Sequence, residues 1–372
     1  MVQIKKVEND KDLKAFIMFP FSLYQNDPNW VAPLIGDQKK MLSPRHNPFF
    51  KHSEACLFLA LKCGEVVGRI TAHTNLRHNA EHKDNIGFFG FFECENDVEV
   101  ARALLDAASD WNKAKGRDAM RGPMNFTIND ECGMLVDGFD TPPMIMNRHD
   151  KPYYQTLLEE CGFAKEMDMY AYLSHKTEMP ERIDRLAAAI ERRTGVTIRS
   201  IRRGKKERAE DIKTIFYVYA KAWESNWGNV PMTQEELEHT TKELLPVADL
   251  DLVLLAEMKG EPIGFCLSLP NYNEVLKVMN GRVNPITIIK ALFAKRKIST
   301  ARVITMGVVE GYRGRGIDTL FYYYSYKSGL PKGLHTAEFS WVLENNTMMI
   351  RVAEMLDAKV YKTYRMYERN IT

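Results

Sequence analysis

Short apolar runs of strand length alternate along this chain with longer stretches in which apolar residues recur at helical spacing. In the second half the pattern predicts a strand over 196–201, helices near 207–224 and 233–243, and a hairpin over 252–269. It continues with a helix near 285–295, a strand over 302–309, a helix near 315–329, a strand over 335–341, a helix near 346–356 and a last strand over 359–367. The first half shows a similar order without the extra helix. A hairpin followed by strand, helix, strand, helix and strand predicts an α/β fold, with mixed central sheets flanked by helices.

The order is similar because the chain repeats itself. Leu59-Ala60-Leu61-Lys62-Cys63-Gly64-Glu65-Val66-Val67-Gly68 matches Leu255-Ala256-Glu257-Met258-Lys259-Gly260-Glu261-Pro262-Ile263-Gly264 at an offset of 196. Each copy reads as strand, tight glycine turn, strand. Gly90-Phe91-Phe92-Glu93 echoes Gly307-Val308-Val309-Glu310 at an offset of 217, and residues 157–163 echo 352–358 at 195. Three echoes in one order predict a tandem duplication. An insertion over 271–300 in the second copy, and one around 125–145 in the first, account for the changing offset. The predicted domains are 1–178 and 195–372, joined by a helix over 179–194. That helix carries Ile183, Leu186, Ala187 and Ile190 on one side, and Thr194-Gly195 ends it.

The sharpest chemical signal is Val308-Val309-Glu310-Gly311-Tyr312-Arg313-Gly314-Arg315-Gly316-Ile317, a glycine turn between a strand and a helix. Glycines let an oxygen-rich ligand approach the backbone, and N–H groups at a helix start can hold a phosphate. Arg313 and Arg315 add positive charge. No Gly-Lys-Ser/Thr follows and GxGxxG is absent, which excludes a P-loop and a good dinucleotide fingerprint. A diphosphate-bearing ligand such as coenzyme A fits better, against the plainer reading of a tight turn with two surface arginines. The first copy has Glu93-Cys94-Glu95-Asn96-Asp97-Val98-Glu99 instead, and its three further acids repel a diphosphate. One cofactor site is therefore expected, in the second half.

These residues resemble the GCN5-related N-acetyltransferase (GNAT) superfamily, whose signature Arg/Gln-x-x-Gly-x-Gly/Ala lies between the fourth strand and the following helix. Gly314 and Gly316 match its paired glycines, and its leading Arg/Gln position falls on Gly311. Asn346 stands where the family places an Asn before the last helix. Asp357-Ala358 replaces the usual Gly-Phe, and Ala353 replaces a Tyr that often protonates the leaving thiolate. Tyr154 and Gly162-Phe163 keep the pattern in the first half. Asp27-Pro28-Asn29-Trp30-Val31 and Asn47-Pro48-Phe49-Phe50 are similar to a bacterial group of tandem members. The resemblance implies an acyl-CoA N-acyltransferase fold, degenerate in the first copy, where it shapes the acceptor pocket or supports the other copy. It also implies acetyl-CoA or another acyl-CoA bound by Val308, Val309, Gly311, Tyr312, Arg313, Gly314, Arg315, Gly316, Ile317 and Asn346. A small-molecule or peptidyl amine would accept the acyl group. Two alternatives are a non-catalytic acyl-CoA-binding or regulatory protein and a Fem-like aminoacyl-tRNA-dependent transferase.

Acyl transfer to an amine needs a neutral nitrogen, a polarised carbonyl and a thiolate able to leave. No carboxylate lies on the strand before Glu310, so Glu338, an acid inside an apolar strand, is the candidate base, or else a satisfied structural carboxylate. Tyr361, Tyr364 and Tyr367 are candidate acids, with Tyr361 preferred; alternate tyrosines are also common on a sheet face. The loop 121–133 offers Asn125, Asn129 and Asp130 to an acceptor, or uses them to cap turns. Cys132 with His149 is a weak nucleophile pair. His73, His78 and His82 read as polar loop surface rather than a metal site, and no metal is expected.

Charge and composition narrow the rest. Lys and Arg total 51 and Asp and Glu total 49, a net charge of +2, so a specific nucleic-acid partner is not expected. Arg199, Arg202, Arg203, Lys205, Lys206 and Arg208 form the densest basic run. Lys295-Arg296-Lys297 follows a mildly amphipathic stretch over 288–293, which reads as a solvated helix end or as a contact with a membrane surface. Apolar residues are 45% of the chain, which excludes wholesale disorder. No apolar run reaches the length of a span and no apolar segment follows Met1–Lys6, so neither a transmembrane segment nor a secretory signal is expected. Six cysteines without a CxxC predict a reduced, cytoplasmic chain.

Overall fold

The two echoed glycine turns fold alike. Cys63 and Gly64 take φ values of 53° and 87°, and Lys259 and Gly260 take 52° and 82°. Positive φ at both central residues gives the two-residue turn whose twist suits flanking antiparallel strands. Lys62 then faces Glu65, and Met258 faces Glu261. The structure is a computed structural model that describes residues 1–223 and 226–372.

The first elements are β1 (Val2–Lys6), α1 (Asp10–Leu23), α2 (Ile35–Met41), β2 (Ala55–Lys62), β3 (Glu65–Thr74), α3 (Leu76–His82) and β4 (Ile86–Cys94). Then come α4 (Val98–Ala114), β5 (Ala119–Gly122), β6 (Met134–Asp137), α5 (Tyr154–Glu160), β7 (Ala164–His175) and α6 (Glu181–Thr194). The second copy continues with β8 (Val196–Ser200), α7 (Lys205–Trp223), α8 (Gln234–Leu244), β9 (Val253–Met258), β10 (Glu261–Pro270), α9 (Asn273–Met279) and α10 (Pro285–Lys295). It ends with β11 (Thr300–Val308), α11 (Ile317–Gly329), β12 (Thr336–Leu343), α12 (Thr347–Met355) and β13 (Lys359–Asn370). The end of the helix predicted near 207–224 falls on residue 224, outside the described residues. Helix α9 was not anticipated, because seven residues hold too little periodicity to separate from a loop.

The chain forms two compact units. One comprises Met1–Met169, Leu276–Ala291 and Lys362–Thr372; the other comprises Tyr170–Val275 and Leu292–Tyr361. In the first, β1 to β4 are antiparallel neighbours, β4 runs parallel to β5, and Tyr367–Asn370 of β13 pair antiparallel with β5. Strand β6 also pairs with β13. Val100, Ala101, Leu104, Leu105 and Ala108 form one stripe of α4 and pack in a core with Ile70, Ala72 and Phe89. A separate cluster joins Phe16 and Ile17 of α1 to Phe49, Phe91 and Phe126.

In the second unit β8, β9, β10 and β11 are antiparallel neighbours and β12 is parallel to β11. Ile183, Ala187 and Ile190 of α6 share a core with Leu320 and Phe321 of α11 and with Val352 and Ala353 of α12. Gly195 ends α6 in the left-handed conformation at φ 67°, the residue type that does so at least steric cost. Val218 and Tyr219 of α7 pack in a different cluster with Leu255 and Phe265.

Candidate active site

Strands β11 and β12 part company midway. Their parallel register joins Thr300 to Thr336, Ala301 to Ala337, Arg302 to Glu338 and Val303 to Phe339, and goes no further. On its other side β11 stays paired with β10 as far as Val308 opposite Gly264, with an irregularity at Leu267/Ser268. One edge of β11 is therefore satisfied to its end, while the other leaves β12 after Val303 and there the Met306 carbonyl accepts from Trp223 Nε1 at 3.1 Å. The Thr305 hydroxyl is buried there with no hydrogen-bond partner. An open strand edge offers backbone donors and acceptors to an extended ligand.

The glycine turn lies at the end of this strand. The Val309 N–H donates to the Ile263 carbonyl at 2.9 Å, which ties the turn to β10. A Cβ on Gly311 or Gly314 would meet nothing within 4 Å, and Gly314 sits at φ +72°. Gly316 differs: at φ +87°, its Cβ would lie 2.8 Å from Ile190 Cδ1 of α6. Gly316 is the N-cap of α11 and offers no side chain to the first-turn N–H groups, while Ile317 is buried beneath them. An uncapped start on a helix of 13 residues is a favourable place for a phosphate. Burial pushes the carboxyl of Asp318 upward, against hydrogen bonds from backbone N–H groups.

The two arginines do not stand free. Arg313 Nε donates to the Val308 carbonyl at 3.1 Å, and its Nη2 donates to the Ala222 carbonyl at 2.6 Å. Arg315 Nη2 donates to the Gly311 carbonyl at 3.1 Å, with its guanidinium 5.3 Å from the Tyr312 ring centre. Both shape the turn while keeping their charge beside it. Asn346 caps α12 by accepting from the Met349 N–H at 3.2 Å. Ala353 lies in the apolar core.

At the point where the strands part, Glu338 and Tyr361 meet. The Tyr361 hydroxyl donates to Glu338 Oε2. Ser340 Oγ donates to Glu338 Oε1 at 2.5 Å, and Arg302 Nε donates to Ser340 Oγ at 2.7 Å. Arg302 Nε is also 3.4 Å from Glu338 Oε1, and its guanidinium lies 4.8 Å from the Trp341 ring centre. Glu338 is 0% exposed and Arg302 2%. Both carboxylate oxygens are engaged, so Glu338 is held as a fixed acceptor, and its partner Tyr361 is half-buried. Of the three candidate tyrosines Tyr361 is the one on Glu338; Tyr364 donates to the Arg148 carbonyl and Tyr367 to Glu159.

The first unit fills the equivalent opening with its own chain. Strands β4 and β5 pair from Ile86–Ala119 to Phe88–Arg121. Beyond that, Asn125 Oδ1 accepts from the Phe91 N–H at 2.8 Å, and the Met124 N–H donates to the Phe89 carbonyl at 2.8 Å. Asn125 is a gap-filler, and Asp130 caps the turn by accepting from the Thr127 hydroxyl at 2.7 Å. The start of α4 is occupied too: Asp97 accepts from the Glu99 N–H at 2.9 Å and pairs with Lys62 at 2.7 Å.

Beneath this plug lies a buried polar cluster that the sequence did not reveal. Glu93 Oε2 accepts from Tyr24 at 2.8 Å and from Tyr154 at 2.7 Å, while Arg69 and Arg148 stand 3.9 and 3.8 Å from Oε1. Burial pushes the Glu93 carboxyl upward in spite of both arginines. The available signal was the position of Glu93 within an echoed segment and of Tyr154 where the resemblance places a family tyrosine. Its partners lie far apart in the chain.

Other candidates settle elsewhere. His73 is not loop surface: it is a fully buried residue of β3, ringed by Phe49, Phe88 and Phe126. Burial pushes its pKa down to about 3. His78 is buried beside Asp84. No cluster suited to a metal ion occurs among the described residues. His149 pairs with Asp27 at 3.2 Å. Arg199 and Arg202 share Asp211, and Arg203 pairs with Asp251, so much of the densest basic run is neutralised internally. Among the described residues no helix is long and apolar enough to cross a membrane.

No protein-family model matches the chain. It is 36% identical over 373 residues to a bacterial ceramide synthase from Caulobacter vibrioides (strain NA1000 / CB15N), covering 98% of this chain and 96% of that protein. It is 36% identical over 372 residues to protein YghO of Escherichia coli (strain K12), covering 98% and 94%. Among solved structures, a tandem GNAT protein from the clavulanic acid biosynthesis pathway superposes with a TM-score of 0.58 at 11% identity, covering 100% of this chain and 99% of that one. A GCN5-related N-acetyltransferase from Sphaerobacter thermophilus superposes with a TM-score of 0.56 at 14% identity, covering 100% and 96%. The chain therefore belongs to the family of the Caulobacter vibrioides ceramide synthase and Escherichia coli YghO, built as a tandem duplication of the GCN5-related N-acetyltransferase fold.

Proposed function

We propose that the chain is an acyl-CoA-dependent N-acyltransferase whose acceptor is the amine of a long-chain base, the product being a ceramide-type amide. The observation that carries the donor side is the parting of β11 from β12 above an open glycine turn and an uncapped helix start. An extended pantetheine arm suits the edge of β11 that has left β12, and a diphosphate suits the N–H groups around Gly314 to Ile317. The acceptor class rests on the likeness to a protein named as a ceramide synthase. The wider class is any small-molecule or peptidyl amine.

The thioester supplies the activated acyl group. The nitrogen lone pair forms the new C–N bond, the C–S bond breaks, and the proton lost by nitrogen balances the one gained by sulfur. The Tyr361 oxygen accepts the proton from nitrogen as its own proton passes to Glu338, and the reverse shift delivers a proton to sulfur. Glu338 orients the hydroxyl, and Arg302 supplies the counter-charge from within the sheet. Glu338 thus acts through Tyr361 and not directly on the amine.

Ala353, buried where the family commonly carries a Tyr, favours a second reading as an acyl-CoA binder without turnover. Calorimetric titration with acetyl-CoA, a long-chain acyl-CoA and free CoA tests the donor site, beside Gly314→Glu. One saturable site per chain, lost in the variant, is expected. Thiol release that depends on an added long-chain base then separates transferase from binder. Absence of binding by folded wild type to any of the three ligands sinks the reading and turns attention to aminoacyl-tRNA donors.

A further inference from the structure

Helix α10 wears its side chains the wrong way round for a surface helix in water. Its small residues Thr287, Ala291 and Ala294 are half-buried, whereas its large apolar residues face outward. Ile286 is 68% exposed, Leu292 61% and Phe293 62%, with Ile288 and Ile289 also exposed. At 100° per residue these five positions cover a continuous arc of roughly 160°, with Lys290 and Lys295 at its two margins. The helix does not owe its formation to packing of that arc. Asn284 Oδ1 accepts from the Thr287 N–H at 3.0 Å, Thr287 Oγ1 accepts from the Asn284 N–H at 2.9 Å, and Pro285 occupies the first turn.

The charge along this segment of the chain has one sign. Between Glu274 and Glu310 the chain holds no acidic residue. Lys277, Arg282, Lys290, Lys295, Arg296 and Lys297 in that stretch are all exposed. A wide apolar arc with lysines at its margins and no acid in its own segment matches the boundary of an anionic bilayer: acyl chains take the apolar face while the lysine stems reach headgroup phosphates.

We infer that α10 is a membrane-interface helix that seats this protein on anionic lipid. The inference goes beyond the proposed reaction and rests on the helix alone. Flotation of the full chain with vesicles of phosphatidylcholine containing phosphatidylglycerol tests it, beside Ile289→Asp/Phe293→Asp and, separately, Lys290→Glu/Lys295→Glu. All four positions are exposed, so thermal melting and acyl-CoA titration should match wild type in each variant. Wild type should float with these vesicles and only weakly with phosphatidylcholine alone. Each double variant should lose about tenfold or more in partitioning. Failure of wild type to float overturns the inference, as does flotation that survives Ile289→Asp/Phe293→Asp. A wild-type dimer that this variant dissociates, with no flotation, assigns the arc to a second copy and likewise overturns it.

Discussion

Tyr361 donates its hydroxyl to a glutamate, Glu338, that is wholly buried and already held on its other oxygen by Ser340 and Arg302. Such a hydroxyl has one orientation, and proton transfer rewards fixed geometry. Tyr361→Phe should lower kcat by about 10²–10⁴-fold and leave the acyl-CoA Kd nearly unchanged. Steady-state rates with calorimetric Kd values check it. Undiminished turnover in the variant removes Tyr361 from the chemistry.

Arg302→Met should cost stability, because it leaves Glu338 buried without its counter-charge. The expected loss is about 3–5 kcal/mol, read as a shift in the urea midpoint. The double change Arg302→Met/Glu338→Leu should recover part of it. A buried pair replaced whole is far cheaper than one broken in half.

The two paired glycines should separate. Gly316→Ala meets Ile190 at 2.8 Å on top of a left-handed φ, and should cost about 2–4 kcal/mol. Gly314→Ala meets open space and should pay the backbone term alone, about 1–2 kcal/mol. Denaturant melts of the two variants side by side decide this; equal losses would contradict the packing of α6 against the turn.

In the first unit, Tyr24→Phe and Tyr154→Phe each remove a donor from Glu93. Each should destabilise by about 1–3 kcal/mol, since hydrogen bonds to a charged buried group are the costly ones to lose. Tyr154→Phe should be the worse, because the same hydroxyl also accepts from the Cys94 N–H at 3.1 Å. Thermal melts rank the two.

Acid should loosen the fold through two buried histidines. Burial depresses His73 to about 3, and burial likewise depresses His78 to about 4 against the pull of Asp84. Unfolded histidine titrates near 6.5, so the stability is fully present above that pH. Below it the unfolded chain binds protons that the folded chain refuses. Each histidine then removes about 1.4 kcal/mol per pH unit, down to its own folded value. Urea midpoints measured from pH 7 to pH 5 should fall, with His149, also lowered by burial, adding to the slope, and His73→Phe should flatten it.

Much of the fold was legible locally. The hairpin turns at Cys63-Gly64 and Lys259-Gly260, the end of α6 at Gly195 and the span of α10 are each written in a few consecutive residues. The glycine turn was legible as chemistry. The roles of its arginines were not, because Arg313 reaches Ala222, 91 positions away in the chain.

The sequence by itself determined most of the strands and longer helices of the second copy, that the chain holds two copies of one plan, and that only the second keeps glycines at its turn. Those properties follow from periodicity and from φ preferences, both of which act between near neighbours. Only the tertiary structure decided that Glu338 is buried against Arg302 and Tyr361, and that His73 lies inside a ring of phenylalanines. It also decided that Asn125 plugs the first opening while the second stays open, and that the apolar arc of α10 points outward. Burial and charge pairing are set by which strands and loops become neighbours across the sheet, a long-range choice that no short window of sequence contains.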